Sequence, residues 1–407
     1  MRSLALGAVV MMVPAHAGAA VDAPAPARPD LLTFASGALP VAVGKSGAAL
    51  GTGFAEAIAA TDGGVRRGTL NRKPGGPRST FEFVYELPAP TRFTRFAVPD
   101  VLETPSPAQS FVGRVEVLGS SRGPGAGFTD LAAASLTTGG RAGEESELVV
   151  RRTPWVRWVK VRLVGGVDPG ATFFEFTELI GNGTQRAAPV SRRFTGGWDA
   201  TFGPIELRQK GVTVQGCFDK GQGRLTGTVT GAILRASGRK TSGGTLTTFV
   251  LAVAPDGTLR GVRSDNGAPF THYEGGRAPG AVTACSKPVK PKPALGCGSI
   301  VHGINFDFDS ATIRRESLPV LAEVYGALRR TKSRVVIEGH TSGEGSDAYN
   351  QALSGRRAGA VVADLVRRGF PRARISAVGK GEAEPIATND NENGRALNRR
   401  VEIECAG

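Results

Sequence analysis

The chain is poor in aromatics and in the residue types that carry out redox, metal or nucleophilic chemistry. Aromatics are 6% of its 407 residues, with 3 Trp and 4 Tyr, and there are 4 His and 4 Cys. No two cysteines form a CxxC pair, and His272, His302 and His340 fit no HExxH or CxxC…H spacing, so neither a metal site nor a cofactor is expected. The carboxylates are scattered over expected strand faces without a Ser/His or Cys/His set, which argues against an enzyme. Gly123-Pro124-Gly125-Ala126-Gly127 lacks the strand-to-helix setting of a phosphate cradle and reads as a loop. After residue 20 no run of eighteen apolar residues occurs, so no membrane-spanning helix is expected there. Stacking aromatics are not interleaved with the basic residues, and no nucleic acid is expected as a partner.

What is abundant is Gly (57), Pro (26) and basic charge: 50 Lys+Arg against 36 Asp+Glu give a formal net charge of +14. The composition predicts a turn-rich, mostly β chain of several domains. The N-terminus reads as a secretory signal peptide over 1–20. Arg2 precedes the apolar run Leu4–Val13, then Pro14 and the small residues Ala15-His16-Ala17 and Gly18-Ala19-Ala20. No Cys follows either cut site, so no lipid anchor on the first mature residue is expected. Most of the positive charge falls on the middle third, which in an exported protein points to anionic envelope polymers, lipid head groups or acidic partners.

A Pro/Ala linker (21–30) leads into a first β domain over 31–186. Phe81–Leu87, Arg92–Val98, Arg114–Leu118, Trp155–Leu163 and Phe174–Leu179 each alternate apolar with polar, as strands with one buried face do. Their order, with "PSPAQSFVGRVEVLGS" and "WVRWVKVRLVGG", resembles the discoidin or galactose-binding-like jelly-roll sandwiches, which bind glycans, lipids or proteins. Trp155 and Trp158 face opposite sides of one strand, one toward the core and the other available as a sugar platform. Residues 190–286 switch to hairpins closed by turns such as Lys220–Gly223 and Pro255–Gly257. The Gly-x-Trp start and up-and-down strands resemble small lipocalin-like β-barrels, with a filled interior favoured over a ligand cavity.

The Lys/Pro spacer 287–296 marks the last boundary. The four cysteines, Cys217, Cys285, Cys297 and Cys405, allow three connectivities. The spacer places one pair in each flanking module and predicts Cys217–Cys285 and Cys297–Cys405.

From 297 to 407 strands and helices alternate in a βαβαβ-type α/β domain. Strands are expected at Ile304–Phe308, Val335–Glu338, Arg374–Val378 and Val401–Glu404. One helix carries Leu318, Leu321, Val324, Tyr325 and Leu328, and another begins near Ser346-Asp347 with Leu353, Ala360, Val361 and Leu365 on one face. The blocks "INFDFDSATIRRES", "VVIEGHTSGEGSDAYNQALSGRRAGAVVADLVRRG" and "ISAVGKGEAEPIATNDNENGRALNRRVEIE" resemble the OmpA C-terminal-like peptidoglycan-binding domain. The resemblance implies non-covalent binding of the peptidoglycan stem peptide at meso-diaminopimelate, in the periplasm of a Gram-negative cell envelope, at the outer membrane.

A diaminopimelate side-chain terminus carries one carboxylate and one ammonium, so its binder needs a planar cation and an anionic acceptor. Arg357 matches the ligand arginine of the LSxxRA pattern. Where the family has GHTD this chain has Gly339-His340-Thr341-Ser342, a hydroxyl in place of a carboxylate. Glu344 or Asp347 could substitute, and restoring an aspartate at 342 is expected to tighten binding. By resemblance Asn350 and Arg400 line the same cleft beside Thr341 and Ser342, while Ser346 and Asp347 read as helix-capping residues. The competing architecture is an integral outer-membrane β-barrel fused to this domain, which needs strands of about 9–11 residues. The strand signals here are shorter and broken by Gly and Pro. Envelope glycans, lipid and outer-membrane proteins stand as possible partners of the β-rich modules.

Overall fold

Alternating apolar and polar residues form strands along most of the chain as far as residue 277. In the computed structural model the described residues are 29–44, 53–64, 80–99, 109–136, 144–166, 173–278 and 295–406. The expected signal peptide, Cys285 and most of the Lys/Pro spacer lie outside them.

The first module comprises β1 (Leu39–Val43), α1 (Phe54–Ala59), β2 (Thr80–Pro99), β3 (Gln109–Ser120), β4 (Thr129–Ser135), β5 (Glu145–Val150), β6 (Val156–Gly166), β7 (Phe173–Glu175) and β8 (Ile180–Gln185). The sheet runs β1-β2-β5-β4-β3-β6, and β6 also pairs with β2, which closes the ring through the longest strand. Where the alternation predicts two strands, β2 runs on through Pro88-Ala89-Pro90. Prolines have no N–H for a ladder, so the pairing with β6 skips from Glu86 to Thr91. The bend gives the first half of β2 to β1 and β6 and the second half to β5 and β8. The strand expected at Phe174–Leu179 shrinks to β7, and β8, which has no clear alternation, takes the edge position on β2. Phe83, Tyr85, Phe93, Phe96, Val117, Val161 and Leu163 fill the core. Neither Trp155 nor Trp158 joins it; both are half-buried.

The second module is a closed antiparallel barrel of eight strands: β9 (Gly196–Ala200), β10 (Gly203–Lys210), β11 (Thr213–Phe218), β12 (Gly223–Thr230), β13 (Ile233–Lys240), β14 (Leu246–Val253), β15 (Leu259–Asp265) and β16 (Thr271–Arg277), which returns to β9. Trp198, Leu207, Phe218, Leu251, Phe249 and Tyr273 are buried together, so side chains fill the lumen. Trp198 Nε1 donates to Gly257 O at 2.9 Å, and the Arg277 guanidinium lies 4.5 Å from its ring centroid.

The third module has the order β17 (Ser299–Val301), α2 (Leu318–Leu328), β18 (Arg334–His340), α3 (Asp347–Arg367), β19 (Ile375–Gly381), α4 (Glu392–Asn398) and β20 (Val401–Ala406). The sheet order is β17-β20-β18-β19, with only the β18–β19 pair parallel. The strand expected at Ile304–Phe308 is instead β17, a few residues earlier. Gly303, at φ +78°, turns the chain out of the sheet, and only a Phe306–Ile313 bridge remains. Two glycines bring α3 onto the sheet: a Cβ on Gly339 would stand 2.4 Å from Ser354 O, and one on Gly379 2.6 Å from Gly355 N. Cys297 and Cys405 are joined by a disulfide. The Cys217–Cys285 pairing involves a residue outside the described ones. Among the described residues no helix is long and apolar enough to cross a membrane.

The three modules share an apolar junction. Phe34, Phe54 and Ile58 of the first meet Ile233, Val250 and Val262 of the barrel and Ala387 and Leu397 of the third.

Candidate functional site

The helix that carries Arg357 starts where its chemistry dictates. Ser346, in extended backbone, accepts a hydrogen bond from Tyr349 N and caps α3, and Leu353, Ala358, Val361 and Leu365 turn one face into the core. Arg357 lies beside that stripe, half-buried. Its Nε donates to Ser310 O at 3.0 Å, and its guanidinium carbon lies 5.1 Å from the Phe306 ring centroid. Among the described residues nothing accepts from its Nη groups. Burial and the neighbouring Arg399 push its pKa down to about 10, which leaves it charged at neutral pH.

The loop after β18 begins pinned. His340 N donates to Arg400 O at 3.0 Å and Thr341 N to Gly381 O at 2.9 Å. His340 is buried, and burial together with Arg400 pushes its pKa down to about 4, so the ring is neutral. Thr341 and Ser342 are buried as well, while Glu344 is exposed. Ser342 Oγ donates to Glu344 Oε2 at 3.0 Å, and Arg399 approaches both, at 3.5 Å from Ser342 Oγ and 3.7 Å from Glu344. Gly343 N donates to Asn389 Oδ1 at 3.2 Å, and Asn389 is held in turn by Asn398 at 2.8 Å.

Of the residues singled out in the sequence, Thr341, Ser342 and Glu344 share this loop, and Arg357 stands on the adjoining helix within electrostatic reach of Arg399. Asn350, on the first turn of α3, is buried and donates to Glu382. Arg400 points elsewhere: it is 5% exposed, and its guanidinium bonds Glu402 at 2.6 Å and Glu384 O at 2.9 Å. Its neighbour Arg399 occupies the place beside Ser342. Successive residues entering a strand face opposite ways, so "NRR" offers one cleft arginine, and α4, which sets the phase, carries no strong sequence signal.

Glu392, the first residue of α4, organises the basic side. It pairs with Arg399 and with Arg395, the latter at 3.1 Å. Burial works against its charge, but Arg399 and Arg395 hold its carboxyl below the usual range. The arrangement sets Arg357 and Arg399 within electrostatic reach of each other, with one exposed carboxylate near each, Asp309 by Arg357 and Glu344 by Arg399, a pattern of charges suited to a ligand that bears both a carboxylate and an ammonium.

Residues 305–399 match the family model described as OmpA family. The third module is an OmpA family domain. The chain is 42% identical over 121 residues to outer membrane protein A of Bordetella avium, covering 29% of this chain and 62% of that protein. It is 43% identical over 119 residues to outer membrane porin F of Pseudomonas aeruginosa, covering 27% and 34%. The match thus spans less than two thirds of either relative. Among solved structures, the peptidoglycan-associated lipoprotein from Burkholderia pseudomallei is 31% identical, with 25% of this chain and 88% of that chain covered and a TM-score of 0.24. The cell wall anchor of the T6SS from Pseudomonas aeruginosa is 38% identical, with 24% and 71% covered and a TM-score of 0.23. The OmpA domain therefore accounts for about a quarter of the chain, and the two β modules precede it.

Proposed function

We propose that the protein is a non-catalytic cell-envelope component that holds peptidoglycan through the OmpA domain and presents its two β modules from that anchor. The observation that carries the reading is Arg357. Its Nε is bonded to Ser310 O and its guanidinium lies over the Phe306 ring, while its Nη edge has no acceptor among the described residues, the state of a fork awaiting a carboxylate. The ligand is the stem peptide at diaminopimelate: Arg357 takes the carboxylate, and Glu344, held by Ser342, takes the ammonium. Co-sedimentation of the full chain with purified sacculi tests this. The wild type should pellet and Arg357→Ala should stay largely in the supernatant, whereas equal pelleting of both would refute the site.

The relatives named as outer membrane proteins support an exported protein at the periplasmic face of the outer membrane. They also keep a second architecture in view, an integral barrel carrying the same anchor. The barrel strands are five to eight residues long, short of the roughly 9–11 that cross a bilayer, and several outward side chains are buried against the other modules. Release of the protein by alkaline carbonate supports the peripheral reading; retention in the membrane pellet supports the integral one. The first module keeps its jelly-roll, discoidin-like reading as part of the proposal. Its candidate contact for anionic envelope glycans is Trp155, whose ring has the guanidinium carbons of Arg92 and Arg186 at 4.9 and 4.6 Å.

A further inference from the structure

The loop that follows α1 reaches the OmpA domain at one end of a chain of polar contacts whose other end is the cleft. Asp62 O accepts from Glu392 N at 2.6 Å and Gly63 O from Arg395 Nη2 at 3.0 Å, while Gly63 N donates to Glu178 Oε1 at 3.0 Å. The approach is close: Gly63 sits at φ +74°, and a Cβ there would lie 2.6 Å from Arg395 Nη2 and 3.0 Å from Glu392 Cβ. From Arg395 the chain continues to Glu392 at 3.1 Å and Glu344 at 3.6 Å; from Glu392 it passes to Arg399, and from Arg399 to Ser342. One turn of α4 thus holds the 61–64 loop on one side and the 341–345 loop on the other.

We propose that the 61–64 loop of the first module is a positioning element for the cleft, so that docking of that module and ligand capture by the OmpA domain are coupled through Arg395, Glu392 and Arg399. The proposal rests on the cleft being the peptidoglycan site. Two features make the link more than simple proximity. The Glu392 N–H in the first turn of α4 donates to Asp62 O, outside its own domain, so undocking leaves that N–H without its acceptor, with only the Asn391 cap holding the end of the helix whose Glu392 side chain orients Arg399. The cleft loop takes its only acidic side chain, Glu344, into the same arginine pair, so any shift of Arg395 or Arg399 changes where that carboxylate stands. Coupling of this kind is reciprocal: ligand in the cleft must stabilise the docked loop as much as docking favours the ligand.

The test uses the full chain and two readouts, amide hydrogen exchange and binding of a diaminopimelate-containing tripeptide. Gly63→Val drives a side chain into Arg395, and Arg395→Met removes the link without a wedge. Gly125→Ala, at a position with nothing within 4 Å of an added Cβ, is the control. Both test variants should speed exchange at residues 341–345 by about fivefold or more and weaken tripeptide binding by a similar factor, within the usual range of couplings, and the control should do neither. In the wild type, saturating tripeptide should slow exchange at Gly63 and Gly64, which a merely structural contact would not do. Because Arg395 also pairs directly with Glu344, Gly63→Val is the deciding variant: exchange at 341–345 that stays at the wild-type rate in it would overturn the coupling, whether or not the tripeptide binds. A wild type that fails to bind the tripeptide overturns the peptidoglycan reading, and the ligand-free exchange comparison still decides the mechanical link.

Discussion

Ser342 donates its hydroxyl to the Glu344 carboxylate across 3.0 Å, so the loop after β18 carries its negative charge two residues beyond the place where a GHTD pattern puts an aspartate. Glu344 in turn faces Arg395 and Arg399.

This relationship reverses the simple expectation that an aspartate at 342 would improve the site. Ser342 is buried and within hydrogen-bond reach of Glu344, and a second carboxylate there would crowd like charges. Ser342→Asp should therefore leave stem-peptide affinity unchanged or lower it. Glu344→Gln should lower it by about 1.5–3 kcal/mol, the range for a hydrogen bond to a charged group. Calorimetric titration of the two variants decides: tighter binding by Ser342→Asp, with Glu344→Gln neutral, would return the ammonium site to position 342.

Arg357 should tolerate no other cation. Its value lies in two parallel donors on a rigid plane, which lysine lacks, so Arg357→Lys should lose most of the sacculus binding that Arg357→Ala loses. Both variants should keep the wild-type fold by circular dichroism, because the guanidinium makes one hydrogen bond to the protein. Full binding by Arg357→Lys would show that charge alone suffices and would remove the fork from the mechanism.

The long helix and its arginine were legible because several local signals agree: Ser346 as the cap, apolar residues at 353, 361 and 365, and Arg357 between them. The strand misplaced at Ile304–Phe308 shows how alternation misleads. Ile304 is buried in the core, Phe306 lies against Arg357, and Phe308 is 46% exposed, so the period of two is met by three unrelated environments. α4 was not legible, since "ENGRALN" contains Gly and Asn and is too short for a periodic stripe; without it the resemblance pointed to Arg400, whereas Arg399 is the one beside Ser342. Nor can spacing reveal that Asp62 and Gly63 touch residues some 330 positions later. That contact is a product of tertiary assembly.

The disulfide between Cys297 and Cys405 spans 108 residues and ties the start of the OmpA domain to its last strand. In the chain-entropy account a loop of that size constrains the unfolded state by about 4–5 kcal/mol. The double substitution Cys297→Ser/Cys405→Ser should lower the denaturant midpoint of this domain accordingly while the barrel transition stays in place. Non-reducing peptide maps should recover Cys297–Cys405 and, on the pairing expected from the module bounds, Cys217–Cys285. A Cys285–Cys297 peptide would contradict the boundary between barrel and OmpA domain.

The junction beneath the 61–64 loop predicts an inverse dependence of stability on pH. Burial pushes Asp62 up to about 6 and Asp30 up to about 7, and it raises Glu178 well above the usual range. The charges of Asp30 and Asp62 raise Glu178 further, and Glu392 raises Asp30, while Arg395 opposes the rise in all three. Tyr85 completes the enclosure, with its hydroxyl bonded to Ala57 O at 2.7 Å. Each acid holds its proton more tightly in the folded protein than in the unfolded chain, so the folded state binds more protons and stability falls as pH rises. The contribution is fully present below about pH 4, the ordinary carboxylate range, and is lost as pH climbs through about 6 to 7. Burial holds His302 down to about 3 and His340 down to about 4, so these two rings raise stability as pH climbs to about 6.5 and oppose the acids there. The thermal midpoint should therefore drop between about pH 6.5 and 8, and exchange at Gly63 and Gly64 should quicken over the same interval by more than the intrinsic base-catalysed rise. Asp30→Asn keeps an oxygen to accept from Leu32 N and Gly181 N, each at 2.9 Å, and removes one ionisation, so its midpoint should depend less on pH. A wild-type midpoint that is level or rising across this interval, or an Asp30→Asn slope equal to the wild type's, would mean that these carboxylates are already ionised within the folded protein.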